Sequence, residues 1–148
     1  ALIRGRRAAA LDPDDGHALD FMGAVLLFAG EFEEAVQTSE RELYETSSNR
    51  RFANRNIAGA SHFHLGNYHN TVQRFEEAAE FGNPLSAPSL AYHTAALSLL
   101  GRTREAKTKL SELQRGWPGT PIDRILLSIH KDPDLAEEVI AQLRVLGW

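Results

Sequence analysis

The sequence predicts an all-α protein assembled from repeated helical hairpins, and three observations predict it. Apolar residues recur at helical spacing in nearly every segment between turn signals, with no convincing alternation that would mark a strand. Gly30, Gly66 and Gly101 each interrupt such a run, 36 and 35 residues apart, and a helical pattern resumes at once. All six prolines fall where helices start or stop. A period of about 35 residues marks stacked supersecondary units, none of which buries its apolar face alone.

In chain order, helices are expected at 2–11, 16–29, 32–45, 52–65, 68–81, 88–100, 103–115, 121–130 and 133–146. The first closes on the Asp-Pro turn of "RAAALDPDD", with Pro13 following the helix. In the second, Leu19, Met22, Gly23, Leu26 and Leu27 fall on one face, and in the third Phe32, Ala35, Val36, Ser39 and Leu43 do the same. "FHLGNYHNTVQRF" at 63–75 joins the fourth to the fifth, and "SLLGRTREAKTKL" at 98–110 joins the sixth to the seventh. Pro84 and Pro118 follow helices. Pro88, Pro121 and Pro133 suit first-turn positions, where a missing N–H costs nothing. Asp132 reads as the N-cap of the last helix.

Each repeated glycine is expected just past a helix C-terminus, in the left-handed conformation that glycine alone adopts cheaply. The aromatic two positions on, Phe32 or Tyr68, then anchors the returning helix. Gly23 and Gly59, each seven residues before a cap, remove side chains where paired helices cross. Ala35 and Ala106, five residues after a cap, do so from the facing helix.

This pattern resembles the tetratricopeptide repeat, a helix pair of about 34 residues with small and large residues at set positions. Three units are in near-constant phase, at 16–49, 52–85 and 87–120. The first has Leu19, Met22, Gly23, Leu26 and Ala35 at family positions, and departs at Ser39, Glu42 and Ser47. The second keeps Ala58, Gly59, Phe75 and Ala78 but has Arg55, His62 and Thr71 at other motif positions. The third keeps Leu90, Leu97, Ala106, Leu110 and Pro118, with Thr94 where a glycine is expected. The resemblance implies a right-handed superhelical solenoid forming a single domain over 1–148. Residues 1–15 would end a truncated repeat whose first helix lies before Ala1, as in a chain cut from a longer protein. Residues 121–148 would form a capping helix pair that shields the last repeat's apolar face. "RILLSIHKDPDLAEEVIAQLRVLGW" also looks like the tails of tetratricopeptide regions attached to bacterial class III adenylate cyclases and winged-helix regulators, with Leu143 and Gly147 in the closing Leu-x-x-x-Gly.

Composition narrows the function. A formal charge of −4 argues against a nucleic-acid-binding module, which usually carries a strongly basic face. With no cysteine there is neither a disulfide framework nor a thiolate metal site. No apolar run approaches the roughly 20 residues of a membrane helix, and the N-terminus lacks a secretory core, so a soluble, cytoplasmic chain is expected. The chain has no GxSxG, P-loop, GxGxxG or HExxH motif. Glu33–Glu34, Glu76–Glu77 and Glu137–Glu138 sit on adjacent helical positions and read as solvated. His62 and His64 stand about 200° apart around one helix and cannot easily share an ion, and His69 begins the next helix. The arginine clusters at 4, 6 and 7 and at 50, 51 and 55 read as solvated faces, and Trp117 and Trp148 as end plugs. No enzyme activity and no cofactor or metal are expected.

The resemblance also implies where a partner would bind, since in this family the first helices of each pair line a concave groove. Carried over, its positions include Asp20, Phe21 and Phe28, then Asn56, Phe63 and His64, then Tyr92 and Leu99. Asn56 is present without a Lys or Arg, so the carboxylate clamp of some family members is not expected. An apolar, aromatic-studded surface suits an amphipathic helix or extended apolar segment. The expected function is a non-enzymatic scaffold that binds a protein segment, with no nucleic-acid or membrane partner. The alternative is a regulatory or dimerisation region of a larger bacterial signalling protein, an adenylate cyclase or transcriptional regulator. The groove reading expects Phe63→Asp or Tyr92→Asp to abolish capture with helicity and melting nearly unchanged. The competing reading packs some of these side chains against neighbouring helices or the C-terminal cap.

Overall fold

The computed structural model describes residues 2–12, 15–45, 51–82 and 86–148, with the side chains at 42–45 and 51–53 outside that description. Among those residues every regular element is a helix: α1 (Leu2–Leu11), α2 (Gly16–Ala29), α3 (Phe32–Glu45), α4 (Arg51–His64), α5 (Tyr68–Glu80), α6 (Ala87–Leu99), α7 (Thr103–Gly116), α8 (Ile122–Ile129) and α9 (Pro133–Val145). The expected bounds agree to within one residue throughout. The sequence readings at Pro13, Ser47, Arg50 and Pro84 lie outside the described residues, and those on the side chains of Glu42, Leu43 and Arg51 lie outside the described side chains.

The three repeated turns are built alike. Gly30, Gly66 and Gly101 have φ of 87°, 75° and 72°. In each turn the glycine amide bonds a carbonyl three residues back, and the next amide bonds one five back, as in Glu31 N–H to Leu26 O at 2.9 Å and Arg102 N–H to Leu97 O at 2.9 Å. This double closure satisfies carbonyls that a helix C-terminus otherwise leaves orphaned, and only a left-handed residue permits it. Each turn folds the next helix back on the last. Consecutive helices pack from α1 to α7, and α2, α4 and α6 also touch one another directly, standing side by side as an inner row.

Small residues set the crossings within hairpins. A Cβ on Gly23 would stand 2.7 Å from Ser39 Oγ of α3, and one on Gly59 would stand 3.1 Å from the Phe75 ring of α5. Ala35 and Ala106 are fully buried on the facing helices. Gly23→Ala is therefore expected to cost about 1–2 kcal/mol, since a packed crossing must shift to admit one methyl. Adding Ser39→Ala removes the obstructing oxygen and should recover part of the loss in urea denaturation. An equal cost in both backgrounds would mean that this contact does not set the crossing.

A polar network ties the outer side of α3, α4 and α5 together. Arg74 donates to Glu40 at 2.9 Å and to Glu77 at 2.8 Å, and His62 Nε2 lies 3.1 Å from the same Glu40 oxygen. Burial opposes ionisation of Glu40, but the hydrogen bonds from His62 and Arg74 more than offset it and hold its carboxyl below the usual range.

The C-terminal pair departs from the hairpin pattern. Asp132 caps α9 by accepting from Asp134 N–H at 3.0 Å, with Pro133 in the first turn. Ala136, Val139, Ile140 and Leu143 recur at helical spacing and are fully buried. The pair packs on α6 of the inner row. Trp117 and Trp148, both half-buried, line a shallow cleft of about 320 Å³ at the end of α7.

Candidate functional site

The corner between α8 and α9 reaches all three inner helices. α8 stops at His130, whose extended backbone (φ −90°, ψ 139°) ends the helical hydrogen bonding and turns the chain toward α2. There Lys131 N–H bonds Phe28 O at 3.0 Å, and Leu135 sits over Gly30. From α9, Glu138 reaches His64 of α4, and Gln142 accepts from Ser98 Oγ of α6 at 2.9 Å. α9 thus crosses the inner row.

At the centre is a chain of four polar groups in an aromatic setting. His64 Nε2 lies 2.8 Å from Tyr92 Oη, which lies 2.6 Å from His130 Nε2, while His64 Nδ1 faces Glu138 Oε2 at 3.4 Å. The partners assign the protons. Glu138 only accepts, so His64 carries its hydrogen on Nδ1; Tyr92 then donates to His64 Nε2 and accepts from His130 Nε2–H. Phe32 stacks on His64 with ring centroids 4.6 Å apart, and Phe63 meets both His64 and Tyr92 edge to face. Burial, reinforced by His130, pushes His64 down to about 3, and burial also lowers His130. Burial raises the Tyr92 phenol and the Glu138 carboxyl above their ordinary values. At neutral pH both imidazoles are uncharged, as the donor-acceptor order requires.

This arrangement changes the standing of the expected groove residues. The resemblance puts Phe63 and Tyr92 at the groove surface, but they are 2% and 3% exposed and belong to the core, Tyr92 meeting His130 at the end of α8 and Phe63 enclosed by His64, Tyr68 and Tyr92. The His64 side chain is enclosed with them. Phe21, 60% exposed, and Phe28 lie on one open stripe of α2, and Leu99 is exposed at the end of α6. Asp20 is half-buried on α2. Asn56 is half-buried and lines a separate crevice between hairpins. His62 and His64 turn to different neighbours, α3 and α6. His130 and Glu138 complete the cluster without any sequence signal beyond the polar end of an apolar run at "RILLSIH". Among the described residues no three His, Asp or Glu side chains gather as metal ligands, and no helix is long and apolar enough to cross a membrane.

Among the described residues an open apolar stretch lies on α1 and α2. Leu2 and Ile3 of α1 and Val25, Phe28 and Ala29 of α2 line a cleft of about 540 Å³ with Lys131 at its edge. Arg4 and Arg7 are exposed on α1, whereas Arg6 is held by Glu34. No protein-family model and no curated protein matches the chain.

Proposed function

We propose that the chain is a tetratricopeptide-type solenoid serving as a non-enzymatic, cytoplasmic protein-interaction module, and that its open α1–α2 cleft takes an amphipathic, acidic-edged segment of a partner protein. The observation that carries this reading is the self-occupied inner row. It already accepts one amphipathic helix, α9, and it continues uncovered over α2, where Phe21, Val25 and Phe28 share a stripe. The three identically closed hairpins at a period near 35 residues support the repeat. Lys131 borders the cleft, and Arg4 and Arg7 are exposed on α1, the helix that forms one of its walls, so carboxylates on the partner's flank are complementary.

The test places a photo-cross-linking phenylalanine analogue at Phe21 and, as a control, at exposed Phe81, in lysate of the cells that make the protein. A partner segment joined at Phe21 and not at Phe81 is expected, with Ile3→Asp weakening its capture about tenfold or more. Cross-links confined to the chain itself, or equal at both positions, overturn the reading. The self-occupied face also favours a second reading, a regulatory or dimerisation region serving a larger signalling chain. Cross-links to a second copy alone would select it.

A further inference from the structure

A further opening lies between the α4–α5 and α6–α7 hairpins and shares no residue with the Tyr92 cluster. It is a crevice of about 340 Å³ with an apolar floor of Phe75, Ala79 and Leu90. Two of its polar side chains hold buried atoms with no partner among the described residues. His93 is 6% exposed and lies parallel to the Phe75 ring at 5.7 Å, yet its Nε2 has no hydrogen-bond partner among the described residues. Asn56 Oδ1, on the opposite hairpin, is also buried and unpartnered among them. Leaving such atoms unpaired is costly, and an apolar side chain in place of His93 would avoid it.

Two of the crevice's polar groups are already engaged, while several of its acceptors are not. Lys109 Nζ is held by Glu112 at 2.9 Å, and the Ser89 hydroxyl by Ser86 at 2.7 Å. Glu80, exposed at the rim, has no ion-pair partner among the described residues, and Glu76 reaches only Arg102, at 3.7 Å. The vacant positions are therefore a carboxylate, an amide oxygen and an imidazole nitrogen. Burial, with the charges of Lys109 and Arg102, holds His93 down to about 4, so its ring is neutral and keeps one nitrogen free to accept a hydrogen bond.

We propose that this crevice binds an alkylammonium or alkylguanidinium group, with its N–H donors on Asn56 Oδ1 and His93 Nε2, its stem on Phe75 and Leu90, and Glu76 and Glu80 balancing its charge. Two sources share that chemistry: a Lys or Arg side chain of a protein, and a free small amine. The inference does not depend on the tetratricopeptide reading.

The experiment is an NMR titration of the intact chain with n-butylammonium, n-butylguanidinium and, as the uncharged control, n-butanol. Saturable shifts at Asn56, Ala79, Leu90 and His93 are expected with the cations and not with the alcohol. Glu80→Gln should weaken binding about fivefold, as for a partly exposed charge. His93→Leu should abolish binding and at the same time raise the melting temperature, because it removes an unpaired buried group without opening a void. A capped Ala-Lys-Ala peptide that binds more tightly than n-butylammonium assigns a protein side chain; a free amine that binds as tightly or more tightly assigns the small molecule. No saturable shift, equal response to n-butanol, or binding that survives both substitutions overturns the proposal.

Discussion

Tyr92→Asp is expected to unfold the chain or leave it loosely packed, at a cost of about 4–5 kcal/mol. The ring is 3% exposed, meets Phe63 and His64 edge to face at 5.4 Å, and places its hydroxyl between two imidazoles at 2.8 and 2.6 Å. A carboxylate there brings a charge into a site whose partners are neutral and deletes the ring that fills it. Tyr92→Phe separates the two effects. It keeps the packing and leaves Nε2 of His64 and of His130 unpaired, for a loss of about 1–3 kcal/mol. Urea denaturation followed by circular dichroism measures both. A Tyr92→Asp variant with the parent's midpoint would return Tyr92 to the surface. This expectation reverses the one drawn from sequence, in which Phe63→Asp and Tyr92→Asp leave the fold intact.

Acid is expected to destabilise the protein well before its carboxylates titrate. Burial holds His64 at about 3 and His93 at about 4, whereas both return to about 6.5 when the chain unfolds. Below about pH 6.5 the unfolded chain takes up at least two protons that the native chain refuses, since burial lowers His130 as well. Stability is therefore full above that pH and falls as pH drops toward 4, with a slope of up to about 2.7 kcal/mol per pH unit for two groups. Glu40 and Glu77, held below the ordinary carboxyl range against the cost of their burial by His62, Arg74 and Gln73, extend the loss to lower pH. Calorimetry across about pH 4 to 8 should show this fall, and His64→Gln or His93→Leu should each remove one proton from the slope. A flat profile would mean that both rings are solvated. Because His64 and His130 share Tyr92, the first structure lost in acid should be the seating of α9, visible as a change in Trp148 fluorescence before helicity declines.

The hairpins were legible in the sequence because the forces that make them are local. A glycine cap, a proline in a first turn and an Asp N-cap act within a few residues, and Gly30, Gly66, Gly101, Pro133 and Asp132 perform those roles. The crossings were legible too, since Gly23 and Gly59 have no other reason to stand seven residues before a cap. The seat of α9 was not. Its apolar face, Ala136 to Leu143, is satisfied equally by the end of the last hairpin or by the inner row, and helical periodicity carries no information about which. Phe63 and Tyr92 inherit that ambiguity, being anchors on an open row and core under a covered one. The bonds that decide it join residues 38 and 74 positions apart, beyond the reach of any local pattern. His93 was passed over because nothing in its spacing distinguishes an unpaired buried imidazole from a paired one.

The bond between Lys131 and Phe28 O has a consequence for how the molecule comes apart. A row of hairpins that touch only their neighbours can lose its outermost member while the remainder stands, so its ends fray independently. Here the strap formed by the α8–α9 corner fastens the last part of the chain to the first hairpin, and α9 is seated on the members between. Opening of the last helices or of the α2–α3 hairpin must break that fastening. The molecule should therefore melt in a single step rather than peel, with amide exchange in α2 slowed to the rate of the whole. A cut at the exposed 118–119 turn that frees the strap should restore stepwise loss.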